Sequence, residues 1–395
     1  MNEPGPPVSP HGDSEPLDLR PYAGPYRPAD TRPDARDEPA SRGQARPVAV
    51  VPAGTQSRRD PWAPVRHLTE STEAMKIGMW GSPGSGKSTF LAALQHATSN
   101  ADRSLGTWKL FSLTDESKEL LIQWNQQLVT DRKFPEATVI GAEAQLRWRF
   151  RGGLADSKYQ PLWRRLRRLP AESTFDLDLI DVSGEVFGPR PADKDVPVAV
   201  VARTLDHLVD AQGLIFLFDP ITERDTPTVA QYLNRPLAEL ASLAEGKGRI
   251  KGGYLPHDVS VCVTKFDHRR LFQQACRAGF VNTGRNGIPR VLNRHAAQFF
   301  DALCDGKFWE ETDERGTYGP AFVRRMLRQY FDPARTRYYV TSSIGFNSGA
   351  DGQFDPARYA MVREQEGGQR ILGPIEPINV LEPLVDLHMR LRQRG

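Results

Sequence analysis

Cysteine is scarce in this chain. Its 395 residues hold three, Cys262, Cys276 and Cys304. The set is odd and scattered with no CxxC pair, which excludes a disulfide framework and reads as buried or semi-buried thiols in a reducing compartment. The eight histidines are dispersed too, so a histidine–cysteine metal centre has no ligand cluster. Long apolar runs are missing: the longest, Leu214 to Phe218 (LIFLF), is far short of a bilayer span. The opening MNEPGPPVSP has neither the basic start nor the apolar core of a signal peptide, and no lipidation signal stands at either end. A cytoplasmic protein is expected. A dominant charge is also lacking, since 52 basic and 49 acidic side chains leave a net +3, and composition makes no case for nucleic acid. Lysine is rare beside arginine, 11 against 41, a bias typical of GC-rich genomes.

Residues 1 to about 70 carry 14 prolines and almost no periodic apolar pattern. Such a stretch buries too little surface to offset its ordering entropy, so a disordered Pro-rich tail is expected. It serves as a solvated spacer or, through Tyr22, Tyr26 and Trp62, as a docking tail.

Order begins at AMKIGMWGSPGSGKSTFLAAL. Met75 to Trp80 reads as a buried strand, a glycine-rich loop follows, and Lys87 to Ala97 reads as a helix. Further strands are expected at 144–150, 174–182, 213–218, 259–264 and 337–342, with helices at 198–209, 226–244 and 379–392. Strands alternating with helices predict an α/β fold of three layers, a mostly parallel six-stranded sheet with helices on both faces. The pair 144–150 and 174–182 is the antiparallel exception, because no amphipathic helix crosses between them. Residues 99–140, 151–173 and 268–335 exceed a minimal nucleotide-binding core, and the last reads as a helical insertion of three helices.

The loop Gly81-Ser82-Pro83-Gly84-Ser85-Gly86-Lys87-Ser88 fits G-x-x-x-x-G-K-[ST] without a mismatch, with Thr89 next in line. Its glycines let backbone N–H groups turn onto phosphates, and a helix N-terminus adds its positive dipole end. Lys87 is placed to reach the β- and γ-phosphates, and the Ser88 hydroxyl to ligate Mg²⁺. In FDLDLIDVSGE, Asp181 ends an apolar strand and opens D-x-x-G (Asp181-Val182-Ser183-Gly184). There the carboxylate orients Mg²⁺ and the Gly184 amide approaches the γ-phosphate. Asp176 and Asp178 alternate with Phe175, Leu177 and Leu179 and are expected on the solvated or edge side. In VSVCVTKFD, Thr264-Lys265-x-Asp267 follows a buried strand, where open α/β sheets bind ligands. The Asp267 carboxylate can accept from guanine N1–H and N2–H₂, a pair adenine does not offer on that edge, while the Lys265 stem lies along the base. In YYVTSSIG, a small residue among Thr341, Ser342 and Ser343 allows a backbone N–H onto guanine O6.

The order GSPGSGKS, DVSGE, TKFD, VTSS resembles that of the Ras-like, TRAFAC-class P-loop GTPases over Met75 to about Ser343. FPEAT (134–138) and PINVLEPL (377–384) resemble the bacterial double-GTPase type. The resemblance implies a GTPase domain over 71–395 that hydrolyses GTP to GDP with Mg²⁺ as a molecular switch. It also implies an effector or activating protein that meets the switch loops and the helical insert. It further implies a switch threonine on Mg²⁺, for which Thr138 is the candidate, with Thr130 and Thr174 as fallbacks. Glu185 stands where such proteins usually carry glutamine. A carboxylate there can orient or deprotonate the attacking water, yet it repels the γ-phosphate, so slow intrinsic hydrolysis rescued by a partner is expected. Pro83 is a second departure, commoner in ATPases and nucleotide kinases. Two other readings stay open: a P-loop ATPase or nucleotide kinase, and a non-hydrolysing guanine-nucleotide-binding module. PLWRRLRRLP (161–170) reads as a solvated face packed by its leucines, a basic surface for acidic lipid or nucleic acid, or an arginine finger in cis.

Overall fold

A computed structural model of the chain describes residues 75–100, 106–136, 144–153, 173–181, 198–225, 229–284, 287–307, 318–349, 351–365 and 368–394. The tail of 1–70, Thr138, Gly184, Glu185 and the basic stretch 161–170 lie outside them.

Seven strands form the main sheet: β1 (Met75–Gly81), β2 (Thr107–Ser112), β3 (Ala144–Gly153), β4 (Ser173–Asp181), β5 (Gly213–Phe218), β6 (Asp258–Val263) and, after two short strands β7 (Val281–Thr283) and β8 (Pro289–Val291), β9 (Thr336–Val340). Their order across the sheet is β2-β3-β4-β1-β5-β6-β9. From β4 to β9 all neighbours run parallel, whereas β2, β3 and β4 pair antiparallel. The antiparallel exception is therefore present, and one strand more than the six expected. The extra edge strand, TWKLFS, buries Trp108 but exposes Lys109 and Phe111. A strand packed on one face only reads weakly in sequence.

The sheet separates two apolar layers, as its twofold side-chain alternation requires. Met75, Ile77 and Met79 of β1 join Trp148 and Phe150 of β3 and Phe175, Leu177 and Leu179 of β4 in one cluster. Helix α1 (Lys87–Asn100) enters it with Phe90 to Leu94, all fully buried, and α2 (Asp115–Asn125) with Leu121 and Trp124. On the opposite side Trp80 packs against Phe216 in a tilted contact with ring centroids 4.9 Å apart. There the Leu208 side chain of α3 (Val198–Asp210) fills the space above Gly78. Next come α4 (Pro220–Asp225) and α5 (Val229–Gly246) where one helix was expected over 226–244. The three helices expected within 268–335 are α6 (Arg269–Arg277), α7 (Ala296–Cys304) and α8 (Tyr318–Tyr330). A hairpin of β10 (Val362–Gln365) and β11 (Gly368–Ile371) precedes α9 (Glu382–Arg392). That helix starts later than the expected residue 379, because Asn379 is left-handed (φ 51°). Its amide donates to Val340 O and Val291 O at 2.9 and 3.4 Å.

One expectation fails. Asp176 points away from Phe175 and Leu177, as its alternation required, but it is 5% exposed rather than solvated. Arg149, directly opposite on β3, grips it with two bonds of 2.6 and 2.7 Å. The cross-strand cation supplies what water was expected to supply. Asp178 is partly exposed and accepts from the Gln145 amide at 3.0 Å. All three cysteines are free and buried, as read from their scatter. Among the described residues, no helix is long and apolar enough to cross a membrane, and no cluster of three His, Cys, Asp or Glu side chains could hold a metal ion.

Candidate nucleotide-binding site

The parallel strands β4, β1, β5, β6 and β9 all end on one edge, where Asp181 closes β4 and the glycine loop, Thr264–Asp267 and Thr341–Ser343 follow β1, β6 and β9. Register places Gly81 opposite Leu217, Phe218 opposite Val263, and Val263 opposite Val340. With strands about 4.8 Å apart, the loop after β1 lies roughly 10 Å from the one after β6, across β5. On the other flank Lys76 pairs with Asp178, and three residues on the register carries Asp181 to the level of Met79, just short of the loop. Topology thus lines up Asp181, the glycine loop, Thr264–Asp267 and Thr341–Ser343 in that order.

The glycine loop is built by local rules. Ser85 N–H donates to Ser82 O at 3.1 Å, Gly84 has φ 74°, and Pro83 sits between them. Pro at the second position and a positive-φ glycine at the third are the marks of a type II turn. Pro83, a departure on family grounds, is thus a turn former. Gly86 (φ 90°) caps α1, its carbonyl accepting from Phe90 N–H at 2.8 Å. Gly81 is required for a different reason: a Cβ there would stand 2.5 Å from Leu217 O. Lys87, 9% exposed, donates to Gly81 O and Ser82 O at 3.0 and 3.1 Å. Its ammonium is folded back on the loop it belongs to. The Ser85 hydroxyl is fully buried with no hydrogen-bond partner among the described residues, a state that costs about 1–3 kcal/mol. An orphaned hydroxyl, a buried ammonium, two left-handed glycines and a helix N-terminus fit a phosphate chain. For Mg²⁺ the fit is one of position only: Ser88 and Thr89, both partly exposed, lie in the first turn of α1, and Asp181 ends the neighbouring strand.

At the far end, Thr264 is tied to β5 through its N–H and hydroxyl, both donating to Phe218 O at 2.8 and 3.2 Å. Phe266 N–H donates to Thr341 O at 3.1 Å, which clamps the loops after β6 and β9 together. Lys265 is left-handed (φ 58°), a conformation that costs a non-glycine residue about 1–3 kcal/mol and persists only where surroundings impose it. Here they do. Its ammonium pairs with Asp219 at 2.6 Å, and its carbonyl accepts from His268 N–H at 2.8 Å. Asp219 is fully buried and also accepts from Ile221 N–H, Thr222 N–H and the Thr222 hydroxyl. The sequence reading passed over Asp219; an Asp-Pro at a strand end, opening a helix, was the available signal.

Asp267 accepts the Ser342 hydroxyl proton at 2.5 Å. The direction follows because an ionised carboxylate can only accept, and Ser342 Oγ in turn accepts from Gly345 N–H at 2.8 Å. Desolvation pushes the Asp267 carboxyl up to about 6, with the Ser342 bond acting the other way. Of the three amides offered for a base O6 contact, Thr341's donates to Val263 O and Ser342's to Ile378 O. Ser343's has no partner among the described residues. Ile378 and Asn379 belong to the PINVLEPL stretch, which therefore braces the loop after β9.

No protein-family model matches the chain, and no curated protein matches it. Solved structures similar to it include the signal recognition particle receptor SRb-GTP/SRX complex from Chaetomium thermophilum, at 14% identity and TM-score 0.31, over 71% of this chain and 95% of that one. The S. cerevisiae Ski7 GTPase-like domain bound to GTP aligns at 13% identity and TM-score 0.33, over 81% of this chain and 50% of that one. Sup35 complexed with GDP aligns at 12% and 0.26, over 77% and 43%. This chain thus spans half or less of the last two. Likeness at these scores carries no functional weight.

Proposed function

We propose that this chain binds guanine nucleotide with Mg²⁺ and hydrolyses GTP to GDP as a nucleotide-dependent switch in the cytoplasm. The observation that carries the reading is Asp267, a carboxylate held by Ser342 on the same strand edge as the phosphate-type loop of Gly81 to Thr89, one strand apart from it. A carboxylate there accepts from guanine N1–H and N2–H₂ and meets only mismatched groups on adenine. This favours the guanine reading over the ATPase and nucleotide-kinase readings. Lys265 covers the base with its stem, Lys87 turns from its loop carbonyls to the β- and γ-phosphates, and Ser88, Thr138 and Asp181 hold Mg²⁺. Gly184 brings an amide to the γ-phosphate, and Glu185 orients the attacking water. An effector or activating protein meets the switch segments and the helical insert, and the FPEAT and PINVLEPL stretches favour kinship with the bacterial double-GTPase type.

The second reading, guanine-nucleotide binding without turnover, is favoured by Glu185, whose charge opposes the γ-phosphate. Two measurements decide. Fluorescent GTP, GDP, ATP and XTP are titrated with Mg²⁺ into the full chain and into Asp267→Asn. Preference for guanine that moves to xanthine in the variant supports the reading, and ATP binding indifferent to Asp267 sinks it. Single-turnover hydrolysis is then compared with Glu185→Gln. Turnover by the wild-type chain keeps the switch, and turnover only in Glu185→Gln, or in neither form, leaves the binding module.

A further inference from the structure

A groove of about 560 Å³ lies between Asp131, Lys133 and Phe134 on one side and Gln365 and Gly368 to Arg370 of the β10–β11 hairpin on the other. Among the described residues that line it, Asp131 is the one acidic member. Three features of this groove agree on what would occupy it.

The first is an open rung. Leu372 N–H donates to Met361 O at 2.9 Å, and Val362 pairs with Ile371, Arg363 with Arg370 and Glu364 with Gln369. Antiparallel pairs alternate between bonded and non-bonded, so Ile371 and Gln369 direct their backbone groups away from β10. Ile371 does so visibly: its N–H donates to Arg132 O at 2.9 Å. Arg132, left-handed at φ 54°, seals that end further through its guanidinium, which donates to Leu372 O at 2.9 Å. Two residues along the same edge, the N–H and C=O of Gln369 face the groove and have no partner among the described residues. The edge of β11 is a ladder with one rung made and the next one vacant.

The second is charge. Arg363 and Arg370 stand directly opposite each other, both exposed, an arrangement that destabilises a hairpin unless an anion lies beside it. Lys133 lines the groove together with Arg370. The third is an apolar wall. Phe134 is partly buried against the main core cluster, and Ile371 is fully buried, so residues on the Ile371 side of an added strand would meet apolar surface.

We propose that this groove takes an extended acidic peptide from a partner protein, added to β11 as the third strand of the hairpin. Its carboxylates alternate toward Arg370, Arg363 and Lys133, and its apolar side chains alternate toward Phe134. Main-chain bonds to Gln369 set the register, and the alternation follows from the period of two in a strand.

The test uses the full chain without nucleotide, so it stands apart from the guanine reading. A fluorescein-labelled octapeptide of alternating glutamate and valine is titrated by anisotropy, beside a lysine–valine octapeptide and a glutamate–valine octapeptide N-methylated at alternate residues. Saturable binding of the first alone is expected, with affinity reduced ~10-fold or more in Lys133→Glu/Arg370→Glu and the thermal midpoint unchanged. Asp131→Asn, which removes the opposing charge, should tighten it. Equal binding of the N-methylated peptide removes the strand addition. Equal binding of the lysine–valine peptide, an unaffected double variant, no binding at all, or tighter binding of a uridine octanucleotide each overturns the proposal.

Discussion

Ser342 donates its hydroxyl proton to Asp267 over 2.5 Å, although 75 residues separate the two in sequence. They meet because β6 and β9 are parallel neighbours whose ends coincide, Val263 against Val340. The bond orients one carboxylate oxygen while desolvation works against the charge on the group.

Asp267→Asn should therefore do two opposite things. Guanine affinity should fall ~100-fold or more, because a paired acceptor becomes a donor, while stability should rise. A carboxyl raised to about 6 contributes stability that is full below its unfolded value of 3.8 and is lost as pH rises through about 6. At neutral pH the wild-type protein carries that loss. Without nucleotide, the variant should be more stable at pH 7.5 by about 1–2 kcal/mol, with the gap closing toward pH 4. Urea unfolding at both pH values measures this. A gap of the same size at both would mean that the carboxyl is not strained by burial.

Guanine binding should depend on pH for the same reason. In the proposed reading the ionised carboxylate holds the base, so affinity should weaken about tenfold per pH unit below about 6 and level off above it. Ser342→Ala removes the bond that lowers this carboxyl and should move the midpoint upward. Titrating fluorescent GDP between pH 5 and 8 gives both midpoints. A flat profile would separate Asp267 from the base.

Within the glycine loop, two substitutions of similar size should differ sharply. Gly81→Ala drives a Cβ to 2.5 Å from Leu217 O, a backbone atom of the adjacent strand that cannot yield, and should destabilise by about 2–4 kcal/mol. Pro83→Ala keeps the turn and removes only its preset φ, so it should cost no more than about 1 kcal/mol. Thermal unfolding of the pair checks the loop geometry independently of any ligand.

At the opposite flank of the sheet, Asp176→Ala should leave Arg149, 8% exposed, with its main carboxylate partner gone, at about 3–5 kcal/mol. Replacing both by leucine and methionine should recover most of that. A double substitution no better than the single one would mean that the site needs charge and not merely a filled volume.

Much of the fold was legible in the sequence because it obeys local rules. Glycines at positive φ, a proline inside a turn, apolar runs of strand length and a helix opening on GKST each declare themselves within ten residues. The seven-residue LIFLFDP passage announced a buried strand yet hid Asp219, since nothing nearby reveals that its partner is Lys265, at the end of the adjacent strand. The edge strand TWKLFS was hidden by having one solvated face, and Asp176 by a cation on another strand.

By itself the sequence determined the α/β alternation, the phosphate-type loop and the residues proposed to meet a base. Each depends on backbone conformation and side-chain chemistry over a short span. Tertiary structure alone decided which of those residues meet. Strand register brought Asp267 to Ser342, the return of Ile378 took the Ser342 amide out of use and left that of Ser343, and Arg132 closed one rung of β11 while Gln369 stayed open. Register is set by the packing of whole faces of the sheet, and no short window of sequence contains it.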